Sequence, residues 1–461
     1  MKLEFLRPLI KYLPEVKLPG RKVAFKEKLF WTSVILVLFF VMGTIYPYGV
    51  TKQSLEQKIR GFEQMTMIFA SSIGTITSAG IGPIVTASII LQLLIGAEMI
   101  DIDLKTKEGK ALFQGTQKIL TVLVAIFEAW ALVNFTQMVS GTGLVVFTIF
   151  QISLGSILLM YMDEVVSKWG IGSGISLFIA GGVAQTIITG SLNPLMDAAG
   201  NFVGAIPNFL SQMISGNLNF IILMPLIATT IVFVIVTFCE AMRLEIPLSY
   251  GGIRGVGGRF PLKFFYVSNI PVILAHALLM NVRLLSNFAG INENMSTADM
   301  TTLQYIVFRI TEYLQMGQLY GILSPDRWSQ MFDVNVLIHL VIFLIVFLAF
   351  CVLFGQFWVS TTGMSSENVA KQIEEGGMQI PGFRRDRRVI KSVLDRYIPQ
   401  ITIISSVAVG IVSVFADLLG ALGSGTGILL TVGIIYRLYE DLQKEQMADM
   451  SPMFRKFLGK E

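Results

Sequence analysis

Charge is scarce in this chain. Of 461 residues only 14% are Asp, Glu, Lys or Arg, against roughly 25% in an average soluble domain. With 53% hydrophobic residues and a mean hydropathy of +0.68, the surface could not be solvated as one or two globular domains. A soluble enzyme is excluded. Cysteine and histidine are scarcer still, two of each, which excludes a disulfide framework and leaves little from which to build a structural zinc site. There is no His-Glu-x-x-His, no Gly-x-Ser-x-Gly and no pair of carboxylates inside an apolar run. No catalytic residue, metal or cofactor is therefore expected. The basic, amphipathic start (1–28) is not followed by a short apolar core with a small-residue cleavage site, so no cleavable signal peptide is expected.

What the chain has is long apolar runs. A spanning helix needs about 20 apolar residues, because the hydrocarbon core is ~30 Å thick and a helix rises ~1.5 Å per residue. Ten stretches qualify, at 29–46, 80–99, 111–135, 144–162, 171–188, 218–242, 264–282, 334–359, 397–416 and 421–436. With the N-terminus inside, 29 of the 35 Lys and Arg fall on the inner segments and 6 on the outer ones. This is a strong positive-inside bias and predicts cytoplasmic termini. The expected fold is an all-α integral membrane protein.

Several features break the regular pattern. The segment 62–76 (FEQMTMIFASSIGTI) is apolar, but as a helix it reaches only ~22 Å. It reads as a re-entrant half-helix or, equally well, as an interfacial helix. Two loops expected inside, 243–263 and 360–396, are long and polar. The first holds five glycines with Arg254, Arg259 and Lys263; the second holds Arg384, Arg385, Arg387 and Arg388 after Pro381-Gly382. Such loops suit an acidic partner, although topology alone accounts for any single cation. The clusters Gly170-Ile-Gly-Ser-Gly174 and Gly423-Ser-Gly-Thr-Gly427 lack the Lys-Ser or Lys-Thr of a phosphate loop and read as close helix packing. Glu128 is the one acidic residue well inside a run; a charge there is costly and faces protein. Glu240 and Asp417 lie near span ends and are expected to reach water. His276 and His339 read as packed polar side chains, Cys239 and Cys351 as small buried ones.

At Gly80-Ile-Gly-Pro-Ile-Val-Thr-Ala-Ser88, at Asp163-Glu164 with Gly170-Ile-Gly-Ser-Gly-Ile175, and at Gly425-Thr-Gly-Ile-Leu-Leu430 the chain resembles SecY. This is the family of large channel subunits of the Sec protein translocon, and the wording is closer to its archaeal form. The resemblance covers nearly the whole chain. It implies two inverted five-helix halves, 29–195 and 196–440, flanked by the cytoplasmic segments 1–28 and 441–461. It implies an apolar pore ring at Ile81, Val85, Ile175, Ile179, Ile273 and Leu430. Ile81/Val85 and Ile175/Ile179 are i, i+4 pairs, each on one helix face. The segment 62–76, with Phe62, Phe69, Ala70, Ser71, Ser72, Ile73 and Gly74, matches the plug. Thr86, Glu128 and Asn281 match a polar cluster across a lateral gate.

Arg254, Arg259, Lys263, Arg384 and Arg385 match ribosome-docking positions, where ribosomal RNA is the acidic surface. Further partners implied are a small clamp subunit of the SecE or gamma type, a small beta-type subunit, signal sequences, nascent polypeptides and membrane lipid. The resemblance places the chain in the cytoplasmic membrane as a passive channel driven by a partner. A secondary transporter with broken helices at a midplane site is the alternative. It would carry several polar groups where this chain has Ile, Val and Leu. An intramembrane enzyme lacks its catalytic groups.

Overall fold

The computed structural model describes residues 7–21, 23–50, 71–72, 74–96, 99–100, 102, 106–136, 138–139, 141–196, 200–216, 219–250, 257–276, 278–279, 301–316, 319–324, 327–376, 378–379 and 386–450. Most of them are helical. In chain order the helices are α1 (Arg7–Tyr12), α2 (Phe25–Met42), α3 (Gly82–Gly96), α4 (Lys107–Thr136), α5 (Thr142–Trp169), α6 (Gly174–Leu192), α7 (Ala205–Ile214) and α8 (Met224–Ala241). After a strand pair follow α9 (Thr302–Tyr313), α10 (Val334–Thr361), α11 (Ser366–Glu375), α12 (Arg387–Leu418) and α13 (Gly425–Met450). Among the described residues, 6 helices are long and apolar enough to cross a membrane; they include α4, α5, α6 and α12. Their exposed faces carry side chains such as Phe127, Phe150, Phe238 and Leu353. Hydrocarbon solvates such faces and water does not.

The chain forms two compact units, Met1–Thr186 with Leu430–Glu461, and Ile187–Leu429. In the first, Phe39 of α2 stacks on Phe178 of α6 at 4.9 Å. Ala129, Val133 and Ile152 join α4 to α5 around a buried cluster with Val50, Ala79 and Met138. Gly155, with no side chain, lets α5 touch the backbone of the turn before α3; a Cβ there would collide with the Ile76 carbonyl.

The second unit contains a sheet built from the two segments expected to be long polar loops. Strands β1 (Arg243–Tyr250) and β2 (Gly257–Lys263) form an antiparallel hairpin, with Ile246 opposite Phe260. Strand β3 (Met378–Gln379), from the other basic loop, pairs with Ser249 and Tyr250. The two loops are thus joined by backbone hydrogen bonds. Ile246 and Leu262 pack with Val369, Ala370 and Ile373 of α11 and with Ile390 and Leu394 of α12 in one apolar core. The period-two run Leu244, Ile246, Leu248 is the local pattern of a strand, and the charged neighbours Arg243 and Glu245 keep it from forming a continuous apolar run.

Two further expectations are corrected. α12 begins at Arg387, ten residues before the apolar run at 397, because Asp386 caps it by accepting the Arg388 N–H at 2.8 Å. The run at 264 opens as turn rather than helix, and helical backbone starts at 270.

Candidate functional site

Hydrophobic side chains expected at a constriction are placed as follows. Ile81 is fully buried in the turn that leads into α3, and Val85 is half-buried one turn later. On α6, Ile175 is half-buried and Ile179 buried. Ile273 is half-buried in the helical segment 270–276, and Leu430 is buried on α13. Most of these aliphatic chains are on or beside helix starts opened by glycine: Gly80 before α3 and Gly82 at its start, Gly174 at α6, Gly425 at α13.

The turn before α3 shows why its sequence is rich in hydroxyls. Irregular backbone at membrane depth needs internal partners for its polar groups. The Gly74 N–H donates to Ser78 Oγ at 2.9 Å, the Thr75 hydroxyl donates to the Ser72 carbonyl at 2.6 Å, and the hydroxyls of Thr75 and Thr77 are 2.9 Å apart. The Ile76 N–H reaches the Ile45 carbonyl just beyond α2 at 2.9 Å. Residues 71–72 and 74–76, the described end of the expected half-helix, are turn and irregular backbone rather than helix. Phe62, Phe69, Ala70 and Ile73 lie outside the described residues, while Ser71 and Ser72 are half-buried and Gly74 is buried.

Of the expected gate cluster, two members meet. The Thr86 hydroxyl on α3 donates to Glu128 Oε1 on α4 at 3.2 Å. Asn281 lies outside the described residues. Of the expected docking residues, Lys263 ends β2 and Arg259 occupies the β2 backbone opposite Pro247. Arg254, Arg384 and Arg385 lie outside the described residues.

Sequence reasoning misjudged two carboxylates. Glu240 and Asp417 do not reach water; they are 5% and 1% exposed. Asp417 instead accepts the Gly425 N–H at 2.7 Å. His276 and His339 are packed as expected: His339 Nε2 lies 2.9 Å from the Gln315 carbonyl, and His276 meets Phe347 edge-on.

These observations define a class: a polytopic helical membrane protein in which α3, α6 and α13 start at glycine-rich breaks and carry aliphatic side chains near those starts. Comparison with known proteins narrows it. A sequence model of the SecY family matches residues 75–439. The protein translocase subunit SecY of Methanocaldococcus jannaschii is 44% identical, over 99% of each chain. One solved structure concerns the plug domain of the SecY protein, which stabilises the closed state of the translocation channel and maintains a membrane seal. It is 41% identical, covers 97% of this chain and 98% of its own, and superposes with a TM-score of 0.77. Sec61 in the canine ribosome-channel complex from the endoplasmic reticulum is 42% identical at the same coverage, with a TM-score of 0.77. The chain belongs to the SecY family.

Proposed function

We propose that this chain is the central subunit of a protein-conducting channel that passes unfolded polypeptides across the cytoplasmic membrane and releases apolar segments sideways into lipid. The observation that carries the reading is likeness over 97% of the chain to a translocation channel. The aliphatic residues agree with it. Ile81, Val85, Ile175, Ile179, Ile273 and Leu430 would make a constriction that repels water and ions yet yields to any passing side chain. A secondary transporter would need polar groups at those positions, and none of the six is polar.

Segment 62–76 is read as the plug. The small residues Ser71, Ser72 and Gly74 favour a segment that leaves its seat cheaply. The Thr86–Glu128 hydrogen bond, with Asn281, is read as the latch of a lateral gate. Polar contacts between membrane helices average ~0.6 kcal/mol, so an apolar signal helix competes with them by binding the open state better. The ten spans, the inverted halves and the cytoplasmic termini belong to the same reading, supported by the positive-inside bias.

Arg254, Arg259, Lys263, Arg384 and Arg385 are read as docking sites for ribosomal RNA, as the ribosome-bound relative suggests. β1–β3 pairing supports this by holding the two basic loops together. A small clamp subunit and a small beta-type subunit would complete the channel, and the driving force would come from a partner such as the ribosome.

The test is crosslinking of a stalled nascent chain to photoreactive probes at positions 81, 175, 273 and 430. The reading expects adducts at all four positions when the chain spans the membrane. Adducts only at lipid-facing control positions such as 150 and 238 would refute it.

A further inference from the structure

Two helical hairpins in this chain close in the same way. Asp163 lies in the last turns of α5, which passes through Gly172, whose φ of 74° favours glycine, into α6. Asp163 Oδ1 accepts the Ile175 N–H at 2.9 Å and the Ser173 hydroxyl at 3.2 Å. Asp417 lies at the end of α12, which turns through Gly420 and Gly423, again at positive φ, into α13. There Asp417 Oδ1 accepts the Gly425 N–H at 2.7 Å. Each carboxylate therefore caps the N-terminus of the next helix from across its hairpin, satisfying a backbone donor that neither lipid nor the helix itself can satisfy.

Glycine makes both approaches possible. A Cβ on Gly174 would lie 2.6 Å from the Asp163 Cα, and one on Gly425 would collide with the Ser413 carbonyl. The second junction is also tied by the Ser413 and Thr426 hydroxyls at 2.8 Å. Its far side is held by the Gly321 N–H, which donates to the Asp417 carbonyl at 2.9 Å. The capped N–H differs by one position, the second of α6 and the first of α13, while the constriction side chains fall at the same place in each helix. Ile179 is the sixth residue of α6 and Leu430 the sixth of α13.

From this we propose that Asp163 and Asp417 are matched positioning residues that set the depth and rotation of the constriction side chains on α6 and α13. The inference rests on the proposed ring. A slip of one residue at either cap would move Ile179 or Leu430 by ~1.5 Å along the helix axis and ~100° around it. That turns Ile175 and Ile179 together, or Leu430, away from the proposed ring. The carboxylate acts as a hydrogen-bond acceptor at a fixed place, so an amide oxygen in that place should serve equally.

The experiment compares Asp163→Ala and Asp417→Ala with Asp163→Asn and Asp417→Asn in the complete channel complex. Resting ion conductance is read in planar bilayers. In parallel, thiol-labelling rates of Ile179→Cys and Leu430→Cys are read in a background lacking Cys239 and Cys351. The Ala variants should leak several-fold more than the parent and alter the labelling rate on their own helix, while the Asn variants stay at parental values. Parental conductance and labelling in the Ala variants, or Asn variants as leaky as Ala, would overturn the proposal. Should an Ala variant yield no monodisperse complex, Asp→Glu replaces it, displacing the acceptor by one methylene, and is read by the same two outcomes. Ile175→Gly with Ile179→Gly is the control. Leakage there with silent Ala variants removes the positioning role alone; silence there removes the ring and the proposal with it.

Discussion

At residue scale, Gly155 and Thr86 act through opposite physics. Gly155 is constrained by sterics, since any Cβ would enter the space of the Ile76 carbonyl. Gly155→Val should therefore overpack the α5 contact and cost ~1–3 kcal/mol. A lowered unfolding midpoint of the detergent-purified chain checks this, and an unchanged midpoint would show that the turn at 76 yields freely. Thr86 is constrained by one weak polar bond to Glu128. Thr86→Val removes it at ~0.6 kcal/mol, about threefold in an opening equilibrium. The expected outcome is export of precursors with weakened signal sequences that the parent rejects; identical rejection would take this bond out of the gate. Of the two constraints, one was visible before the structure. Glu128 stood out as a lone acid in an apolar run, whereas Gly155 looked like any other helix glycine. Its partner is 79 positions away in sequence, and nothing local encodes such a contact.

The element scale shows how the basic N-terminus is used. Residues 14–17 lie against the side of α4 and the end of α5. Lys118 donates to Glu164 at 2.9 Å and to the Pro14 carbonyl, Lys168 bridges Glu164 and Glu15 at 2.9 and 2.8 Å, and the Trp169 indole donates to the Lys17 carbonyl at 2.9 Å. Further out, Ile10 of α1 sits over Gly115 of α4. The Lys168 hydrogen bond and charge hold the Glu15 carboxyl below its ordinary value of 4.5. Its contribution is complete above 4.5 and is lost as the pH falls through the lowered value. Hydrogen exchange at 14–17, corrected for the intrinsic rate, should accordingly rise on acidification, and Lys168→Ala should produce the same rise at neutral pH. Exchange unaffected by Lys168→Ala would mean the indole and α1 contacts suffice. For the proposed plug, deletion of 62–76 should raise resting conductance many-fold, and an intact seal would place the closure elsewhere.

On the scale of the whole molecule, the question is which surface meets a partner. The basic loops were read from composition as long and polar, but β1 and β2 of the first and β3 of the second form one sheet, and Ile246 and Leu262 of that sheet pack on α11 and α12. Arg384→Glu should weaken ribosome binding, with the deficit shrinking as salt is raised. Equal binding at every ionic strength would leave the arginine as a topology signal.

Hydropathy and charge by themselves placed this chain in a membrane and located the 6 described helices long and apolar enough to cross it; its family was legible separately, as a resemblance carried by short motifs. Those properties are additive along the chain, so a one-dimensional reading captures them. The tertiary structure alone decided that Asp417 and Glu240 are buried, that Asp163 caps its neighbouring helix, and that two distant loops share a sheet. Each of these depends on which backbone atoms approach from elsewhere in the fold. A buried donor needs an acceptor at one point in space, and sequence distance does not measure that.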